Sequence, residues 1–320
     1  MTAALSLVAD IGATNARFGL LDDQGRIVYS QILPCAGYPT LELAAAAYLD
    51  AAAPDARPRR GALAIAGPVT GDVIVMTNHP WTFSVTATCA ALGLDRLEVV
   101  NDFTAVAMSI PLLTDADRRQ VGDGTAVERE VIGVLGPGTG LGVSGLVHGV
   151  TGWTPLAGEG GHVTMAPVSD RESAVLDQLR KKFNHVSAER VISGQGLVNL
   201  YAALSLLDNR EPEELMPADV ANRGLDGTNA ICEEALEMFC AMLGTVAGNL
   251  ALTLGARGGV YVAGGIVPRL GLFFAHSRFR KRFMEKGRLR DYLAPIPTYV
   301  VTHELPAFLG LQAVLNKPAG

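Results

Sequence analysis

A polar pair, Asn101-Asp102, stands where a short run, Leu97-Glu98-Val99-Val100, ends and an apolar helical stretch from Phe103 to about Ile110 begins. That order reads as a strand-to-helix turn, and in α/β sheets the groups at the carboxyl ends of strands line the crevice where ligands bind. Asp102 would also occupy the N-cap of the helix. Capping accounts for an aspartate but not for the asparagine beside it, so these residues alone leave both readings open.

Two glycine-rich tips add a second kind of chemistry. Leu5 to Asp10 is an apolar run, Ile11-Gly12-Ala13-Thr14-Asn15 a turn, and Ala16 to Leu21 a returning strand. The tip of this hairpin gathers Asp10, Gly12, Thr14 and Asn15, which are also common residues of ordinary turns. The design recurs at Val131 to Gly136, Pro137-Gly138-Thr139-Gly140 and Leu141 to His148, an internal repeat. Two such hairpins could clamp the phosphates of one nucleotide with backbone N–H groups. Neither is a Walker A loop, and no G-x-G-x-x-G opens a helix after a strand. Glu159 and His162, two glycines apart, can share a ligand or form a structural pair. Glu189 stands near the start of a short helix with Ser187 as its cap, where it also suits the helix dipole. Gly264-Gly265, after the strand Val260 to Ala263, suits close approach to a ligand.

The elements that position these residues alternate. After the first hairpin come a strand at Arg26 to Leu33, a helix at Leu41 to Ala53, strands at Gly61 to Gly67 and Val73 to Met76, and a helix capped by Ser84. Thr77 and Asn78 are polar groups at a strand's end. Beyond the second hairpin, Trp153 to Pro167 reads as a glycine-rich loop, and helices follow at Asp170 to Lys182, Leu197 to Leu207 and Pro217 to Arg223. A long apolar helix from Thr228 to Leu254 is expected to kink near Gly244 and Gly248. A strand at Pro297 to His303 and a helix at Pro306 to Asn316 close the chain. This is an α/β pattern with helical crossovers.

With 320 residues the chain exceeds what one core comfortably fills, so two domains are expected. Apolar residues make up 49% and charged residues 18%, which excludes a disordered chain. A net charge of −6 argues against nucleic acid or an anionic membrane as partner. The run Arg278 to Arg290 is basic, but Phe279, Phe283 and Leu289 interleave as in an amphipathic helix, and a solvated helix face is expected. Cys35, Cys89, Cys232 and Cys240 lack metal or disulfide spacing and read as reduced, buried thiols. The amino terminus has no basic n-region, and a cytoplasmic protein is expected.

The set D-I-G-A-T-N at Asp10 to Asn15, M-T-N-H-P-W at Met76 to Trp81, N-D-F-T-A-V-A at Asn101 to Ala107, G-P-G-T-G-L-G at Gly136 to Gly142, G-E-G-G-H at Gly158 to His162, S-A-E-R-V at Ser187 to Val191 and A-G-G-I-V-P-R at Ala263 to Arg269 resembles the bacterial glucokinases. These belong to the hexokinase, actin and chaperone ATPase superfamily, and the match runs through essentially the whole chain in order. The resemblance implies an α/β, two-domain actin-like ATPase (ribonuclease H-like) fold with a central cleft. The smaller domain would hold residues 1–110 with about 303–320, and the larger 111–302.

The resemblance further implies ATP-dependent phosphorylation of the 6-hydroxyl of glucose, with Asp102 as general base and Asn101, Asp102, Glu159, His162 and Glu189 as sugar ligands. The backbone of Gly12, Ala13, Thr14 and Asn15 and of Gly138, Thr139 and Gly140 would cradle phosphates. Gly264 and Gly265 would lie near the adenosine, and Asp10 would orient Mg²⁺ through water. ATP and Mg²⁺ are the implied cofactors, and a homodimer is the expected assembly. Another hexose, such as mannose, fructose or glucosamine, is the alternative substrate.

Ala13 departs from the pattern where relatives often carry a second glycine; a positive φ there would weaken nucleotide binding. Gln195 replaces a frequent proline, an exchange expected to be neutral. Val163-Thr164-Met165-Ala166-Pro167 after His162 contains no cysteine, so the zinc motif of a related branch of sugar kinases and repressors is not implied. A DNA-binding regulator on this fold would need a helix-turn-helix before the first strand, where only four residues precede Leu5. A nucleotide-switched scaffold would have no reason to keep the sugar-binding set together.

Overall fold

The computed structural model describes residues 5–76 and 79–317, so Thr77 and Asn78 lie outside the described residues. The chain divides into two units, Met1–Leu113 with His303–Gly320, and Thr114–Thr302. In the first, β1 (Ser6–Ile11), β2 (Asn15–Leu21), β3 (Ile27–Pro34), β4 (Arg60–Ile65) and β7 (Arg96–Asn101) form one sheet in the order β3-β2-β1-β4-β7. β1, β2 and β3 are antiparallel neighbours, whereas β4 and β7 run parallel to β1. A separate ribbon pairs β5 (Val73–Val75) with β6 (Thr82–Ser84).

Local signals set the helix starts of this unit. Thr40 accepts from the Leu43 N–H at the start of α1 (Leu41–Ala52), and Ser84 accepts from the Ala87 N–H at the start of α2 (Val85–Ala91). Leu7, Phe18, Leu41, Tyr48 and Ile65 are fully buried between sheet and helices. α3 (Asp102–Ser109) packs against α11 (Pro306–Leu315) with almost no space between backbones. A Cβ on Gly310 would fall 1.7 Å from the Ala105 carbonyl oxygen.

The second unit repeats the strand plan. β9 (Ile132–Pro137), β10 (Leu141–Gly149), β11 (Gly152–Gly158), β12 (Val260–Val262) and β13 (Thr298–Val301) lie in the order β11-β10-β9-β12-β13, with β8 (Arg118–Gln120) added antiparallel at the edge. Again the first three strands are antiparallel and the next two run parallel to the first. Helices α4 (Asp170–Arg180), α5 (Gly194–Leu207), α6 (Pro217–Leu225), α7 (Ala230–Leu254), α8 (Val267–His276), α9 (Phe279–Met284) and α10 (Arg290–Leu293) complete it.

Three expectations change here. Gly152–Gly158 is a strand rather than a loop, its backbone paired along β10 from Val143 to Gly149. α7 runs through Gly244 and Gly248 without a kink. Those glycines serve close packing instead, since a Cβ on either would meet the carbonyl oxygen of Phe279 at 2.2 Å or of Phe283 at 2.4 Å in α9. α7 is long and apolar enough to cross a membrane, but most of it is buried inside the protein, as befits the core helix of this unit.

The basic run is the third. Arg278, Lys281, Arg288 and Arg290 are exposed, as a solvated face requires, but Arg282 is only 2% exposed. Its Nη1 donates to Glu172 Oε1 at 2.5 Å, and its Nη2 to Glu172 Oε2 at 3.2 Å and Thr245 Oγ1 at 2.7 Å. Glu172 also accepts the Val168 N–H at 2.8 Å, so the buried pair is well satisfied. Arg280 donates to the carbonyls of Ile296, Ala294 and Asp123, each at 2.8 Å. Lys286 reaches the Thr245 carbonyl at 3.1 Å, and burial pushes its ammonium below the usual lysine range. The aromatic residues of the run, Phe279 and Phe283, are core. Three of the seven basic residues of this segment therefore tie down their own unit. All four cysteines are free thiols; Cys35, Cys232 and Cys240 are buried and Cys89 is half-buried.

Candidate active site

In the first unit the candidate residues gather at the carboxyl ends of parallel strands. Ile11 of β1 pairs with Ile65 of β4, which pairs with Asn101 of β7. Asp10 and Asn101 therefore stand on one edge of the sheet, about 10 Å apart at two strand spacings. Asn101, not Asp102, is the N-cap of α3: its Oδ1 accepts from the Phe103 N–H at 2.9 Å and the Thr104 N–H at 3.1 Å. Its Nδ2 donates to the Gly67 carbonyl at 3.2 Å. Asp102 becomes the first residue of the helix, half-buried, with Oδ1 2.8 Å from the same Phe103 N–H. The cap lies one residue earlier than the sequence suggests, because asparagine and aspartate cap about equally well and only backbone geometry separates them.

Asp10 is half-buried directly across from Arg17 on β2. Burial pushes its carboxyl above the usual range, and attraction to Arg17 opposes that. The turn closes through the Gly12 N–H donating to the Asn15 carbonyl at 3.0 Å. Cys35, just past β3, braces it with its N–H on the Thr14 carbonyl at 2.9 Å and its Sγ 3.5 Å from the Gly12 carbonyl. Thr14 and Asn15 are exposed. Among the described residues the non-glycines with positive φ are Arg129 and Asn209, so Ala13 carries its Cβ without the strain that its departure raised.

In the second unit the candidates converge on the turn between β9 and β10. Its tip closes through the Gly138 N–H on the Gly140 carbonyl at 2.8 Å, with Thr139 exposed. Gly264, at φ +83°, lies against it; a Cβ there would be 2.5 Å from the Pro137 carbonyl oxygen. Gly265 has open space around its Cα. Glu189 Oε2 accepts the Leu141 N–H at 2.9 Å, and the Gly194 N–H donates to the Gly138 carbonyl at 2.9 Å. On the other side of Leu141, the 3-10 turn Gly160–His162 packs so closely that a Cβ on Gly161 would fall 2.0 Å from the Leu141 carbonyl oxygen. Leu141 is thus held on both sides by segments that carry candidate sugar ligands.

Glu159 Oε2 and His162 Nε2 are 4.0 Å apart, with side chains 55% and 61% exposed. That separation is too long for a hydrogen bond, so the two are not a closed structural pair. The ring of His185 meets the His162 carbonyl at 2.9 Å, and the Ala188 N–H donates to the Val163 carbonyl at 2.9 Å, fixing this loop to the turn that bears Glu189. Ser187 holds the cap position of that turn, but its hydroxyl accepts none of the first N–H groups. A cavity of about 390 Å³ opens beside His162, Ser187 and Glu189.

Sequence reasoning missed Leu141, Gly161 and Ser193. Ser193 caps α5 by accepting the Gly196 N–H at 2.9 Å and donates to the Glu189 carbonyl at 2.8 Å, so one hydroxyl starts the helix and pins the carboxylate's backbone. The signal available was the serine-glycine pair four residues after Glu189, a capping pattern with a second use.

Comparison with known proteins gives this geometry a context. A family model described as glucokinase matches residues 7–318. A glucokinase of Paramagnetospirillum magneticum is 52% identical over 313 residues, covering 98% of each chain. Relatives described as bifunctional proteins, such as one from Burkholderia pseudomallei at 52% identity, are longer, and the chain covers 48% of that one. Among solved structures, a glucokinase from an Antarctic psychrotroph superposes with a TM-score of 0.88 at 38% identity, over 98% of this chain and 99% of that one. A glucokinase of Streptomyces griseus, of the ROK family and solved with glucose and AMPPNP, shares the fold at a TM-score of 0.66 and 18% identity, over 98% of this chain and all of that one. With a family model spanning nearly its whole length and a half-identical relative matched end to end, the chain belongs to the glucokinase family, a two-domain α/β sugar kinase that phosphorylates glucose.

Proposed function

We propose that the chain transfers the γ-phosphoryl group of ATP to the 6-hydroxyl of D-glucose with Asp102 as the general base. The observation that carries this reading is the division of labour at the start of α3. Asn101 does the capping, so the cap no longer accounts for Asp102, which stands at the carboxyl edge of the parallel strands. The carboxylate takes the proton of the 6-hydroxyl as that oxygen attacks the γ-phosphorus and ADP departs. Asn101, Glu159, His162 and Glu189 orient the sugar, the carboxylates accepting from ring hydroxyls and the imidazole bridging them. Phosphoryl transfer asks chiefly for alignment and charge neutralisation, which suits a site built of hydrogen-bonding groups around one base.

The backbone of residues 12–15 and 138–140 cradles the phosphates, with Gly264 and Gly265 beside the adenosine. Magnesium, when bound, neutralises charge on the transferred phosphate. Asp10 is the residue to hold it, through water. A single carboxylate suits an ion that keeps several waters and leans on substrate phosphates. We assign the fold to the actin-like ATPase class, supported by two sheets that share one strand order.

The test is ADP release from ATP measured across glucose, mannose, fructose and glucosamine, with Mg²⁺ and with the ion chelated. Glucose is expected to give the highest kcat/KM, and chelation to abolish turnover. A higher kcat/KM for another hexose would reassign the substrate, and full turnover under chelation would remove the role of Asp10.

A further inference from the structure

The carboxylate of Glu189 is seated on the second glycine-rich hairpin. Its Oε2 accepts the Leu141 N–H at 2.9 Å, and a Cβ built on Gly140 would fall 2.5 Å from that same oxygen. Such an approach is incompatible with any side chain at position 140 unless the carboxylate moves. The backbone of Glu189 is fixed independently, through Ser193 Oγ on its carbonyl at 2.8 Å and the adjoining Gly194 N–H on the Gly138 carbonyl at 2.9 Å. The backbone is held at one end and the carboxylate at the other, and an added methyl group at position 140 would push the carboxylate off the Leu141 N–H.

We infer that Gly140, though part of the turn assigned to the nucleotide, is a positioning residue for glucose: its bare Cα and the Leu141 N–H hold the Glu189 carboxylate where the sugar meets it. This rests on the reading of Glu189 as a glucose ligand.

Glucose affinity is measured calorimetrically on the full chain with no nucleotide present. Gly140→Ala is expected to raise the glucose Kd about tenfold or more, the effect of losing one hydrogen bond to a charged group. A normal Kd in Gly140→Ala, alongside a raised Kd in Glu189→Ala, overturns the inference and leaves the functional reading intact. A normal Kd in Glu189→Ala removes the glucose role of Glu189 itself. A double variant sharpens the result. Glu189→Asp withdraws the carboxylate from position 140, so its cost in the Gly140→Ala background should be smaller than in the wild type; additive losses would count against the contact. Should Gly140→Ala not fold, exchange of the Leu141 amide decides: saturating glucose is expected to slow it in the wild-type chain, and equal rates with and without the sugar refute the inference.

Discussion

The two glycine-rich hairpins stand at the same place in two sheets of the same strand order, yet they offer different chemistry. The first offers side chains: Asp10 at the end of β1, then Thr14 and Asn15 in the open. The second offers backbone, with Gly138, Thr139 and Gly140 at a tip whose carboxylate, Glu189, is supplied by a segment far along the chain. Their braces differ as well. Cys35 and the end of β3 support the first, whereas the start of α5 and Glu189 support the second. A repeated frame fixes where a hairpin sits, and the segments packed behind it decide what it presents. If Asp102 of the first unit is the base while Glu159, His162 and Glu189 of the second hold the sugar, substitutions at Asp102 and at those three should separate turnover from affinity.

The largest effect should come from Asp102→Asn. With Asn101 retaining the cap, thermal stability should hardly move, while kcat falls on the order of 10²–10⁴ through loss of the base. Retention of more than about a tenth of wild-type kcat, against that expected loss, would break the assignment. Next in size is Glu172→Gln in the second unit, which strands Arg282 at 2% exposure. Denaturant unfolding should show a loss of about 3 kcal/mol, with the glucose KM of the folded fraction unaltered. A loss below about 0.5 kcal/mol, well short of a broken buried pair, would mean that Thr245 and Glu285 suffice for the guanidinium. The smallest is Asn101→Ala, expected to cost about 1 kcal/mol of stability as a lost cap and to raise the glucose KM. Unchanged stability would return the cap to Asp102.

Most strands and helices were legible because their periodicity and caps are local. Leu5 to Leu21 reads as two apolar runs around a turn, and Ser84 announces the helix that follows it. What escaped was set by distant partners. Gly152–Gly158 carries two glycines and Pro155, so nothing local marks it as a strand; pairing with β10 imposes that. Gly244 and Gly248 look like helix breakers until α9 is laid across them. Arg282 reads as surface charge until Glu172, 110 residues earlier, is placed beside it. The candidate side chains could be named from their motifs. The Leu141 amide could not, since a backbone group has no signature of its own and shows its part only when Glu189 arrives.

The crossing of α11 over α3 has a consequence for the order of assembly. The chain leaves the first unit after Leu113, builds the whole second unit, and returns at His303 to lay Gly310 against the Ala105 carbonyl. During synthesis the sheet that bears Asp10 and Asn101 emerges early, but the helix that covers α3 emerges only after the whole second unit. Until then the apolar back of the helix that starts with Asp102 lies open to water. The nascent enzyme passes through a stage with its second unit synthesised and α3 uncovered, an interval in which a chaperone would find that helix, and a ribosome stalled before Pro306 would release a chain with nothing to lay across Ala105.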